Sequence, residues 1–164
     1  MWSETKSNSK NRDVKAEFWT TDYFDPSTWA SNQYLRWTSI DKFSKEELRE
    51  ALQIVTSAIS RCEKAQPKFA EGSSPHSLLK NRIKALAIAQ SLITEKSVTE
   101  KYTIEELTEA LRPVASIISK CTKAQQKFAE GSTYYTRLQK MIHAMEISQS
   151  LIMDEIGKRT IANK

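Results

Sequence analysis

Apolar residues recur at alternating steps of about four and three along two stretches of the chain. The first stretch has Leu48, Leu52, Val55, Ile59, Cys62 and Phe69, and the second has Leu107, Leu111, Val114, Ile118, Cys121 and Phe128. This spacing is typical of a helix that packs one seam against a partner helix. Ser44 with Glu47, and Thr103 with Glu106, supply a capping box at the start of each predicted helix.

A glycine and a second apolar stretch follow each of these helices. Gly72 and Gly131 stand where the first helices should end in the left-handed conformation, and Ser73 or Ser74 can cap the helix that follows Gly72. The second helices have broad apolar faces, formed by Leu79, Ile83, Leu86, Ile88, Ala89, Leu92 and Ile93 and by Leu138, Ile142, Met145, Ile147, Leu151 and Ile152. Each unit is therefore predicted to be a helical hairpin.

The two hairpins are copies of one sequence. Residues 43–93 align without gaps to residues 102–152, and 28 of the 51 aligned positions are identical. A repeated unit of this kind buries its apolar face on its neighbour. The copies extend to residues 43–101 and 102–164 and together form one domain, preceded by an N-terminal segment of residues 1–42.

The short link between the copies decides their arrangement. A helix of about 22 residues is about 33 Å long, whereas the link at residues 96–101 spans at most about 20 Å. The third helix must therefore begin close to the end of the second. We expect an all-α, up-down-up-down four-helix bundle with both Gly-Ser turns at the same end.

Two prolines break the likeness between the copies. Pro67 stands where the second copy has Gln126, and it predicts that the first helix ends about a turn early. Pro113 stands in mid-helix where the first copy has Ile54, and it predicts a kink because proline lacks the N–H that the helix needs.

The repeated pattern Glu-Glu-Leu, Ala-Leu, Ser and Cys-x-Lys-Ala-Gln-x-Lys-Phe-Ala-Glu-Gly-Ser resembles short, uncharacterised bacterial helical-hairpin proteins. The resemblance covers residues 43–93 and 102–152. It implies the hairpin fold and no activity. If single-copy relatives dimerise, this chain is their covalent pseudo-dimer.

The N-terminal segment differs chemically from the repeats. Residues 1–12 are rich in Ser, Asn and Lys, which is typical of disorder, while residues 18–37 hold seven of the fourteen aromatic residues and a short helix start at Asp25-Pro26. Either these aromatics fold onto the bundle, or Trp19, Trp29 and Trp37 anchor a partner protein. Residues 1–42 have zero net charge, which weakens the case for nucleic-acid stacking there.

Charge separates along the predicted bundle. Six Lys or Arg and two Glu lie at 61–84, five Lys or Arg and one Glu at 120–143, and acids concentrate at the opposite end. Such a distribution either complements the helix dipoles or forms a binding surface. The candidate partner-binding residues at this basic end are Lys64, Lys68, Lys80, Lys123, Lys127, Arg137, Tyr134 and Tyr135.

Other classes of site lack a pattern in the sequence. Cys62 and Cys121 fall on the apolar seam and are expected in the core, and His76 and His143 are not equivalent positions. We find no nucleotide-binding fingerprint and no four-ligand zinc pattern, so we expect no metal, no cofactor and no catalysis. Without an apolar leader or membrane span, a cytoplasmic protein is expected.

The sequence thus predicts a non-catalytic interaction module. Its partner is expected to be another protein, bound through the basic turn end, the aromatic segment or both. An RNA- or DNA-binding accessory protein that uses the same end is the alternative. The oligomeric state does not follow from the sequence.

Overall fold

The computed structural model describes residues 42–94 and 101–163, which form four α-helices. These are α1 (Lys45–Ala65), α2 (Ser74–Thr94), α3 (Ile104–Gln125) and α4 (Thr133–Ala162), with a short 3-10 helix, Gln66–Lys68, after α1. The predictions for residues 1–41, which are disorder at 1–12 and a short helix within 18–37, lie outside the described residues. Most of the link at 96–101 does as well.

The helix starts are those that the sequence predicts. The Ser44 hydroxyl accepts from the Glu47 N–H at 3.2 Å, and the Glu47 carboxylate accepts from the Ser44 N–H at 2.8 Å. Thr103 and Glu106 form the same pair of bonds at 3.2 and 3.0 Å. The backbone N–H donors at these caps hold the pKa of both glutamates below its ordinary value.

The helix ends differ from the sequence prediction at Pro67. α1 ends at Ala65, so it is one residue shorter than α3 relative to the repeat, and the expected loss of a whole turn is wrong. Proline fits the first turn of the 3-10 helix, because no N–H is required there. α3 runs through Pro113 without interruption.

The four helices pack in an up-down-up-down bundle, as predicted. Each helix contacts the helices before and after it in the chain, α1 closes on α4, and α2 also meets α4 across the bundle. Gly72 and Gly131 have positive φ angles of 81° and 84°. Lys42 before α1 and Tyr102 before α3 both contact the last third of α4, so the open ends of the two hairpins meet there, away from both turns. Ser73 and Ser132 then accept from the N–H groups of His76 and Tyr135 and cap α2 and α4.

The hairpins contact each other reciprocally. Glu47 at the start of α1 pairs with His143 in α4 at 3.4 Å, and Glu106 at the start of α3 pairs with Lys84 in α2 at 3.2 Å. Glu47 and Glu106 are 59 residues apart, and so are Lys84 and His143, so the two pairs occupy equivalent positions of the repeat. The same surface of each hairpin therefore contacts the other hairpin, as in a two-fold symmetric dimer.

The buried core lies in the half of the bundle remote from the turns, which we call the core half. Its largest fully buried apolar side chains are Val55, Leu86, Ile88, Leu107, Val114, Met145, Ile147 and Ile152. α4 extends past the repeat, burying Ile156 and Gly157. Arg159 beyond them donates to the carbonyl of Tyr102 and pairs with Glu155, so the end of α4 is tied to the start of α3.

One buried polar group in the core half lacks the partner that its counterpart has. Gln90 Nε2 donates to the Thr56 hydroxyl at 3.0 Å. Gln149 occupies the equivalent position and is buried, yet its Nε2 has no hydrogen-bond partner within the described residues. The position equivalent to Thr56 is Ala115, which has no hydroxyl to accept such a bond.

We therefore expect Ala115→Thr to raise the free energy of unfolding by about 1 kcal/mol, because the new hydroxyl satisfies a buried donor. Urea denaturation measures the change. Ala115→Val is the matched control, since it has the same branched shape without the hydroxyl. Equal stabilisation by valine would show that packing, and not the hydrogen bond, is responsible.

Candidate interaction surface

The part of the bundle next to the turns has almost no buried residues. We call this part the turn half and define it as residues 59–84 and 115–143. Gln125 is the one buried residue that it contains. All eighteen buried hydrophobic residues of the described chain lie outside it. The apolar seam of each hairpin continues into the turn half, where its side chains are half-buried or exposed and no longer fully buried.

The two cysteines illustrate this change along the seam. The sequence places them in the core, whereas the structure places both at its edge, half-buried and unpaired. Burial raises the pKa of each thiol, although the charges of Arg82 and Arg61 act in the opposite direction. Arg61 and Arg82 belong to the first hairpin, so their effect on Cys121 shows that they lie near the second hairpin as well.

Large apolar side chains are exposed on the turn half. Four of the five exposed large hydrophobic residues in the described chain belong to it, namely Phe69, Leu78, Phe128 and Tyr134. Each is at least 40% exposed, and Tyr134 reaches 64%. Exposed apolar groups gathered in one region mark an interaction surface more often than single scattered ones do.

The second turn adds an aromatic pair. The rings of Phe128 and Tyr134 stack with their centroids 5.3 Å apart and their planes 20° apart. The sequence predicts that Tyr135 is part of the exposed surface. In the structure it is half-buried, and its carbonyl accepts from Gln125 Nε2 at 3.4 Å. The first turn has Pro75 and His76 at the corresponding positions, so the two turns differ in what they present.

The turn half is strongly basic. It contains eleven Lys or Arg and three Glu, a net charge of +8, whereas the whole chain has +5. Lys84 and Lys140 pair with Glu106 and Glu50 of the core half. Within the part of the chain that the structure describes, no carboxylate lies within ion-pair distance of the six predicted cations, which are Lys64, Lys68, Lys80, Lys123, Lys127 and Arg137.

The topology brings the predicted cations of both copies to one end. Lys64 and Lys68 lie at the end of α1 and in the 3-10 helix, while Lys123 and Lys127 lie at the end of α3 and in the turn after it. All four are exposed. The predicted anchors Trp19, Trp29 and Trp37 lie outside the described residues.

Sequence reasoning missed the exposed apolar members of this surface. Phe69 and Phe128 fit the apolar seam, so periodicity alone predicts that they are buried. Leu78 carried a usable signal, because the equivalent position of the second copy is Arg137, and a position that holds a charged residue in one copy indicates a surface position in both.

Comparison with protein-family models, curated proteins and solved structures finds no match to this chain. The resemblance to bacterial helical-hairpin proteins thus stays a prediction. Over residues 42–94 and 101–163, the structure contains no group of three or more His, Cys, Asp or Glu side chains that could hold a metal ion. None of the described helices has an apolar stretch long enough to cross a membrane.

Two isoleucines of α4 test the contrast between the two halves. Ile147 is fully buried in the core half, and Ile142 is half-buried on the turn half. We expect Ile147→Ala to lower the free energy of unfolding by about 3 kcal/mol, and Ile142→Ala by about 1 kcal/mol, because less apolar area is lost. Equal losses in urea denaturation would mean that the turn half is sealed.

Proposed function

We propose that the protein is a non-catalytic interaction module whose turn half binds an acidic segment of another protein. The segment is expected to carry apolar side chains as well as carboxylates. The observation that supports this most directly is the coincidence of a +8 net charge with four exposed large hydrophobic residues in one part of the bundle.

The two properties contribute to different stages of binding. The positive charge attracts an acidic partner and speeds the encounter, and salt weakens this effect. The apolar groups contribute affinity, since covering them removes apolar surface from water at about 25 cal/mol per Å². Phe69, Phe128 and Tyr134 are the expected anchors, because buried aromatic residues dominate binding energy at interfaces.

A second candidate is single-stranded RNA or DNA. The stacked rings of Phe128 and Tyr134 lie between the exposed cations Lys127 and Arg137 in the chain, and aromatic faces next to cations hold unpaired bases. Against this, the remainder of the chain has a net charge of −3, which limits the length of backbone that the protein can attract.

The proposal assigns the protein to the cytoplasm. Cys62 and Cys121 are free thiols, and a reducing compartment keeps them so.

Affinity capture from native cells tests the proposal with the full chain and two charge-matched variants. The first reverses the turn half by Lys64→Glu, Lys68→Glu, Lys123→Glu and Lys127→Glu. The second reverses four exposed cations elsewhere by Lys45→Glu, Arg49→Glu, Arg112→Glu and Lys158→Glu. We expect a nuclease-resistant, acidic protein partner that the first variant loses and the second keeps.

Two results would contradict the proposed protein partner. If both variants keep every captured protein, the turn half is not the binding surface. If the captured material disappears on nuclease treatment and its binding falls steeply with salt, nucleic acid is the ligand and the second candidate replaces the first.

A further inference from the structure

The chain contains a segment whose chemistry matches that expected of the partner. Residues 16–35 include Glu17, Asp22 and Asp25 and no Lys or Arg, so their net charge is −3. The same twenty residues contain six aromatic side chains, at Phe18, Trp19, Tyr23, Phe24, Trp29 and Tyr34. We call this stretch, which lies outside the described residues, the acidic-aromatic segment.

The turn half is complementary to this segment in charge and in polarity. Its net charge is +8, and the six cations that have no ion-pair partner among the described residues are exposed together with Phe69, Leu78, Phe128 and Tyr134. A second copy of the same surface would instead bring +8 against +8, and like charges placed together at an interface are unfavourable. The charge pattern therefore favours the acidic-aromatic segment over a dimer formed through the two turn halves.

The chain is long enough for the segment to reach the turn half of its own bundle. Lys42 is held at the opposite end, where its ammonium pairs with Asp154 at 3.3 Å. α1 covers about 31 Å from that end towards the turns. The 18 residues from Phe24 to Lys42 span up to about 60 Å when extended, so even a partly helical connection suffices.

We propose that the acidic-aromatic segment docks in cis on the turn half. Its carboxylates lie against the exposed lysines, and its aromatic rings cover the apolar side chains that the helices leave unsealed. The inference concerns the same surface as the proposed function but requires no external partner. It adds a regulatory consequence, since an acidic partner must displace the segment in order to bind.

Tryptophan fluorescence reports on this docking without labelling. All four tryptophans lie within residues 1–41, and three of them are at or beside the segment. In the full chain we expect emission typical of shielded indoles and weak quenching by acrylamide, a neutral quencher that the charge changes do not affect. The turn-half reversal defined above should shift the emission to longer wavelength and increase quenching severalfold, while its charge-matched control should not.

A charge swap makes the test specific to the contact. Reversing the segment by Glu17→Lys, Asp22→Lys and Asp25→Lys should also release it. Combining these changes with the turn-half reversal should restore the shielded emission, because the charges are again opposite. Unfolding cannot produce such a rescue, and circular dichroism of each variant checks that the helices remain.

Two outcomes would overturn the inference. One is tryptophan emission that is the same in the wild-type, reversed and swapped chains. The other is shielding that depends on protein concentration and accompanies dimers in sedimentation, which would mean docking between chains. If the segment reversal releases the tryptophans but leaves partner capture unchanged, the docking stands and the regulatory consequence fails. If the turn-half reversal releases the tryptophans but leaves partner capture unchanged, the docking stands and the proposed function fails.

Discussion

The two hairpins are held together where the first turns of α1 and α3 each contact a helix of the other hairpin. The paired contacts of Glu47 with His143 and of Glu106 with Lys84 mark this reciprocal interface. These pairs are partly exposed and contribute little on their own. The stabilisation comes from the buried apolar side chains of the core half, including Leu86, Leu107 and Ile147. Because the buried core lies in one half of the bundle, the apolar seam in the other half stays half-buried or exposed.

The division into a core half and a turn half explains where the charged and the exposed apolar side chains lie. In the core half, acidic helix starts complement the dipoles and fix the caps. In the turn half, lysines and arginines lie beside exposed apolar side chains. These side chains would be buried if another helix or segment covered them. A surface that is both basic and apolar is complementary to an acidic, aromatic segment, and the chain carries one at residues 16–35. The proposed partner and the proposed cis docking both follow from this complementarity.

Much of the fold could be predicted from local chemistry. Ser44, Thr103 and the two glycines determine where helices begin and end through their own hydrogen bonds and backbone angles, and the short link determines the order of the helices. The extent of the core could not be predicted in this way. Cys62 and Phe69 continue the apolar period of α1, but a period identifies a helix face and does not show whether another helix covers it.

Positions at which the two copies differ indicate which side chains lack a partner or are exposed. Ala115 in place of Thr56 removes the hydroxyl that could accept from Gln149 Nε2, an atom with no partner among the described residues, and Arg137 in place of Leu78 indicates an exposed position. The end of α4 has no counterpart in the first copy, so comparison of the copies could not predict the contact of Arg159 with the Tyr102 carbonyl. Pro67 shortens α1 by only one residue, because it stands in the first turn of a 3-10 helix that needs no N–H there.

The central claim, that a buried core joins the hairpins in one half only, is tested most directly by native-state hydrogen exchange of the full chain. We predict that the backbone amides of residues 107–114 and 144–156 exchange only through global unfolding. Those of residues 59–65 and 118–125 should exchange faster, through local opening of the turn half. Uniform protection along the whole of α1 and α3 would contradict the account, because it would mean that the turn half is packed as tightly as the core half.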